Sequence, residues 1–532
     1  MISNELEKET QPSRREFLSK AGKGGVAAIA LAGLMSSSPG IISSKSLSHA
    51  KLRPVKLPED PLFTSAKNLA SMIQSKKISS VELTEMYFKR IELVNPQINA
   101  VVMLCKERAL MEAKMADDML AKGKSKGPLH GVPVTIKDSI DTAGVVSTGG
   151  TMGRKNFIPG EDATVVARLR NAGAIVMGKT NTPEFTLAGT TANLIYGMTS
   201  NPYKAGYTPG GSSGGAGSII ASGGSPMDIG SDFGGSIRMP AHYNGIAGLK
   251  PTTGRVPRTG HIVDYGGIFD TYQVLGPLAR WVEDLAYILP IISGPDQIDA
   301  AIHPVPLEDP SKVDLKKLKY AWHIDIGSAE KCTPETIKAV QGVADMLKDG
   351  KFVITNDAPV KIIQEAEKVR SELGMADGRA WVRRLVERSG TKTTHPLLGL
   401  SPGPAGVASA ARFTELVENL DASRSKMLQW LESYDIVISP VMASPAKPNP
   451  DNFDPKPRDP ASYGFVGIYN MTGWPSAVVR AGVSPEGLPI GVQIIGRPWQ
   501  EHVVLAVASF IESQTGGWQP PLALNEIITG GK

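Results

Sequence analysis

Tyr207–Pro251 reads YTPGGSSGGAGSIIASGGSPMDIGSDFGGSIRMPAHYNGIAGLKP. It holds two glycine-serine turns, Gly210-Gly211-Ser212-Ser213-Gly214-Gly215 and Gly234-Gly235-Ser236. Between them lie a small-residue helix candidate, Ala216 to Ser222, and a short apolar run, Met227 to Ile229. A low-complexity linker would be polar throughout and indifferent to position. This stretch instead alternates turn, helix, turn, strand and turn. Glycine in such turns lets backbone N–H groups approach a ligand closely. Serine offers a hydroxyl that becomes a nucleophile only when a neighbour takes its proton.

A second motif lies upstream, Gly131-Val132-Pro133-Val134-Thr135-Ile136-Lys137-Asp138. Lys137 precedes Ser212 by 75 positions, and Ser212 precedes Ser236 by 24. GVPVTIKD, GGSSGG and DFGGSIRMPA followed by GLKPT, in that order, resemble the amidase signature family. Its members are serine hydrolases that use a Ser-Ser-Lys triad in place of histidine. The resemblance spans residues 62–515, sharply over 131–256 and loosely elsewhere. It implies one large α/β domain, 51–532, with a twisted mixed sheet covered by helices on both faces. It also implies hydrolysis of a carboxylic acid amide to acid plus amine or ammonia, through an acyl-enzyme and without a cofactor.

The resemblance assigns Ser236 as nucleophile, Ser212 as the serine that passes the proton, and Lys137 as base. It also places a cis peptide bond before Ser212. An ordinary lysine titrates near about 10.4 and is charged at neutral pH. Burial among Val134, Ile136 and glycines would disfavour that charge and free the amine to act as base. The N–H groups of Phe233, Gly234, Gly235 and Ser236 are the expected oxyanion donors. Ser213 is expected to hydrogen-bond within its own turn. Asp138, Asp232 and Arg238 are read as supporting residues that orient the site.

The chain has 532 residues, 41% of them hydrophobic, which is ample for a large core. Its net charge is only +5, giving no reason to expect nucleic acid. The N-terminus carries Ser13-Arg14-Arg15-Glu16-Phe17-Leu18, then an apolar run from Gly24 to Met35 and a Ser-rich segment ending at Ala50. That order is the layout of a twin-arginine export signal over residues 1–50, which would place the mature protein in the periplasm or outside the cell. The apolar run falls short of the roughly 20 residues a membrane span needs. Cys105 and Cys332 are the only cysteines, and sequence does not say whether they pair. The histidines form no metal framework, and a homodimer is left open.

Gly173-Ala-Ile-Val-Met-Gly178-Lys179-Thr180 satisfies the P-loop pattern. Its four variable positions read as a buried strand, whereas a phosphate-binding loop needs them in the turn between strand and helix. Lys179 is then expected to be solvated or locally hydrogen-bonded at a strand end. Gly211-Ser212-Ser213-Gly214-Gly215 also fits the nucleophile elbow of α/β-hydrolases, which would recruit Ser213 and a histidine such as His502. That reading leaves GVPVTIKD and DFGGSIR unexplained. Two further alternatives are a glutaminase subunit of a tRNA-dependent amidotransferase, which the export signal opposes, and a non-catalytic binding protein, which the intact triad opposes. Residues 296–430 match least well and are expected to shape the substrate pocket. Within them Arg379–Arg388 fits either a basic amphipathic helix touching a membrane or, as favoured, an ordinary helix with a solvated face.

Overall fold

Helix and strand signals in the sequence become two sheets that meet at Lys137. The computed structural model describes residues 60–264, 267–328, 330–400, 406–450 and 463–521. The expected export segment lies outside the described residues.

Strands β1 (Val101–Leu104), β2 (Pro133–Lys137) and β3 (Ile175–Thr180) form a small sheet in the order β1-β3-β2. In it β2 runs parallel to β3, and β1 is antiparallel to β3. Strands β4 (Ala192–Asn193) and β5 (Gly197–Met198) make a two-residue ribbon. The main sheet has β6 (Met227–Asp232), β7 (Ala247–Lys250), β8 (Val274–Ala279), β9 (Lys319–Trp322), β10 (Val353–Asn356), β11 (Ile436–Pro440), β12 (Ser476–Val483) and β13 (Pro489–Gly496). Their order is β10-β9-β11-β13-β12-β7-β8-β6. Its β10-β9-β11 edge is parallel and the remaining pairs are antiparallel, so the sheet is mixed. Helices cover both faces, and strands buried on both sides carry continuous apolar runs such as Ile436-Val437-Ile438.

The Ser79/Glu82 capping box forms as the sequence predicts and opens Ser80–Ile98, which buries Leu83, Tyr87, Ile91 and Val94. Asn95-Pro96 reads in the sequence as a helix stop, yet the helix runs past it and ends at Asn99, which is left-handed with φ 48°. There the Asn95 side-chain oxygen accepts from the N–H groups of Ala100 and Val101. The P-loop-like residues lie in β3. Arg480 reads in the sequence as a residue at a sheet edge, but it lies on β12, an inner strand between β13 and β7. The 379–388 segment folds as the helix Ala380–Arg388 and buries Val382 and Leu385. No helix among the described residues is long and apolar enough to cross a membrane.

Candidate active site

Proline and apolar residues fix β2 as a buried strand whose last residue is Lys137. Its register partner on β3 is Thr180. From there the fully buried Lys137 Nζ donates to Ser212 Oγ at 2.7 Å, Ser213 Oγ at 2.9 Å and Ser231 Oγ at 2.9 Å. Among the described residues no carboxylate touches the amine. Burial lowers Lys137 from 10.5 to about 7, although the negative charges of Asp228 and Asp232 oppose the shift. Near neutral pH such an amine exchanges between a charged form that donates to all three hydroxyls and a neutral form able to accept a proton from one of them.

The Gly211–Ser212 peptide bond is cis. Glycine is required at 211 by close approach: a Cβ there would sit 2.7 Å from the Ala188 carbonyl oxygen and 2.8 Å from the Gly189 carbonyl carbon. Ser213 is set between the two turns. Its hydroxyl receives the lysine, and its N–H donates to the Ser236 carbonyl at 3.2 Å.

Asp232, at the end of β6, organises the second turn. Its carboxylate accepts from Gly235 N–H at 2.8 Å, Ile237 N–H at 3.1 Å and Asn470 Nδ2 at 2.8 Å. Arg238 adds Nε and Nη2, each at 3.1 Å, and both partners of this ion pair are fully buried. Burial alone would raise the Asp232 carboxyl, but Arg238 and Asn470 prevail and hold it well below the usual carboxylate range. Arg238 reaches on to Gln493 Oε1 at 3.2 Å and to Asn470 Oδ1. Gly235 adopts φ 106°, open to glycine alone at low cost, and the chain turns there to present Ser236, 7% exposed.

The structure therefore brings Lys137, Ser212 and Ser213 into direct contact and ties Ser236 to them through its backbone. Ser236 Oγ forms no hydrogen bond among the described residues. Of the four expected oxyanion donors, Gly235 N–H is engaged by Asp232. Gly234 and Ser236 N–H groups have no such partner among the described residues, and Gly234 faces open space. Asp138 stands apart from the triad: it accepts from Thr148 N–H at 3.1 Å and from the Thr148 hydroxyl at 2.5 Å, bracing the following loop. Lys179 is fully buried and not solvated, donating to Ile140 O and to Thr142 Oγ1 at 2.7 Å. His502 pairs with Glu308 at 3.4 Å, while Ser213 is bonded to Lys137, so the elbow reading loses its base.

Sequence reading did not single out Ser231, nor the rings that meet Phe233. Ser231, the third acceptor of Lys137, lies on β6 between Gly230 and Asp232. Phe233 leads into the oxyanion turn and packs its ring against Tyr272 at 5.9 Å and Trp381 at 6.2 Å. Trp381 comes from the 296–430 region and joins a cluster with Phe185, Ile262, Val382, Leu385 and Leu398. Beside that cluster the buried Glu184 accepts from Thr151 Oγ1 at 2.8 Å and from His395 N–H at 2.6 Å.

Comparison with known proteins agrees with this architecture. The family model described as Amidase matches residues 82–505. Indoleacetamide hydrolase of Bradyrhizobium diazoefficiens is 35% identical, over 86% of this chain and 88% of that protein. A glutamyl-tRNA(Gln) amidotransferase subunit of Carboxydothermus hydrogenoformans is 33% identical, over 85% and 97%. A solved fatty acid amide hydrolase superposes with a TM-score of 0.76 at 25% identity, over 85% of each chain. The chain belongs to the amidase signature family of amide-hydrolysing enzymes.

Proposed function

We propose that this protein is an exported amidase that hydrolyses a small carboxylic acid amide through Ser236, Ser212 and Lys137. The observation that carries the reading is the buried Lys137 amine, about 7 and bonded at 2.7 Å to Ser212. Ser236 Oγ attacks the amide carbonyl carbon. Its proton passes to Ser212, whose own proton moves to neutral Lys137, and the new oxyanion is met by N–H groups of the 233–236 turn. Collapse breaks the C–N bond, and the proton returns through Ser212 to the leaving nitrogen. Water then repeats the sequence on the acyl-enzyme and releases the acid.

Relatives include both a free-amide hydrolase and a component of an amidotransferase. The twin-arginine segment favours the former, because a tRNA-linked enzyme works where tRNA is. The aromatic wall of Phe233, Tyr272 and Trp381 favours an acyl group with an apolar or flat portion.

Fluorophosphonate labelling with peptide mapping tests the triad. The adduct is expected on Ser236, absent in Ser236→Ala and slowed at least a hundredfold in Lys137→Ala. An adduct on Ser213 that ignores Lys137→Ala would overturn the assignment. Cell fractionation, with Arg14→Lys/Arg15→Lys as control, tests export.

A further inference from the structure

Asp228 is a fully buried carboxylate that the proposed reaction does not use. It lies on β6, three residues before Ser231 and four before Asp232. Its Oδ2 accepts from Thr135 Oγ1 at 2.7 Å and Thr180 Oγ1 at 3.0 Å, while Oδ1 is buried with no hydrogen-bond partner among the described residues. Thr135 is two residues before Lys137 on β2, and Thr180 is the register partner of Lys137 on β3. The two hydroxyls that hold Asp228 thus flank the strand position of the lysine. Thr135–Asp228 and Lys137–Ser231 are side-chain bonds that join the small sheet to the main one at this point.

We propose that Asp228 is a positioning residue for amide hydrolysis. Its carboxylate, held by Thr135 and Thr180, steadies positive charge on Lys137 and sets how firmly that amine holds the proton taken from the serines. Two hydroxyl donors converging on one oxygen is an arrangement that suits an anion. The neighbouring acid Asp232 is committed instead to Arg238 and Asn470. The other charged or titratable groups bearing on the pair are Lys179, which acts on Asp228, and His261, whose ring senses Lys137. Asp138, which acts on Lys179, is bound to Thr148. Burial pushes the Asp228 carboxyl up to about 7 against its threonine donors, so it and Lys137 change charge over the same range.

The inference rests on Lys137 being the base, and the test separates the two. The second-order rate of fluorophosphonate labelling is measured across pH for wild type, Asp228→Asn, Thr180→Val and Lys137→Ala. Asparagine is nearly isosteric and can keep both threonine bonds on its carbonyl oxygen, so the fold is expected to persist. Loss of the negative charge should move the acid limb down by about one pH unit and lower the high-pH plateau, because the amine becomes a weaker base. Thr180→Val removes one donor from the carboxylate and should move the limb the same way by less. It serves on its own if Asp228→Asn does not fold. A limb at the wild-type position in the folded variants, whatever the plateau, overturns the role of Asp228. A Lys137→Ala protein that keeps the wild-type rate and limb overturns the base assignment instead.

Discussion

Replacing Lys137 by methionine should abolish labelling yet change stability in a direction that depends on pH. The side chain is fully buried, and burial carries its amine from 10.5 to about 7. Folded and unfolded chains therefore bind protons differently between those two values. Below about 7 the amine is charged in both states, and burying that charge costs about 5 kcal/mol. As pH rises toward 10.5 the unfolded chain also gives up its proton and the penalty fades, to roughly 1 kcal/mol near pH 9.5. Methionine removes this penalty but forfeits three hydrogen bonds, to Ser212, Ser213 and Ser231, at about 1 kcal/mol each. Lys137→Met should thus be roughly 2 kcal/mol more stable than wild type near pH 6 and about 1–2 kcal/mol less stable near pH 9.5. Guanidinium unfolding of both proteins at the two pH values measures the swing, which should be about 3 kcal/mol. A methionine variant less stable by the same amount at both would refute the idea that the fold holds this amine against its charge.

Gly211→Ala should lower stability by about 1–3 kcal/mol and labelling more than tenfold. The new Cβ meets backbone at Ala188, Gly189 and Thr190, and relief can come only by moving Ser212 off Lys137. Gly234→Ala, with nothing within 4 Å of its Cβ, should melt like wild type. Asp232→Asn should cost about 3–5 kcal/mol by leaving a buried Arg238 without its counter-charge, and Asp232→Asn/Arg238→Met should recover part of that loss on the same unfolding curve.

The parts of the site legible in the sequence were those written as short contiguous motifs. GVPVTIKD announced a buried strand ending in lysine, and the two glycine turns announced where backbone must come close. What stayed hidden was produced by pairing between distant segments. Nothing near Asp228 says that Thr135 and Thr180 will bond it, because those contacts depend on β2 and β3 lying against β6. Lys179 read as a strand-end residue either solvated or hydrogen-bonded, and the sequence did not show that Ile140 O and Thr142, from a loop 37–39 residues upstream, would claim its Nζ. The Asp232 cluster needed Asn470 and Gln493, which arrive more than 230 residues later. Pro96 looked like a helix stop, yet the helix ran on to Ile98 because its end is set by Asn95 and Asn99.

The Glu184 contacts have a consequence for how selectivity can evolve. The reacting groups hang from β2, from β6 and from the two turns, whereas Trp381 belongs to a segment fastened to that frame through an apolar cluster and a carboxylate reaching Thr151 and His395. If the Phe233–Trp381 contact borders the substrate as proposed, drift in 380–398 can reshape that wall while the Lys137–Ser212 contact stays intact. The enzyme is built like a tool with an exchangeable jaw, and a graft of this segment between relatives should carry substrate preference with it if Glu184, Thr151 and their partners are kept.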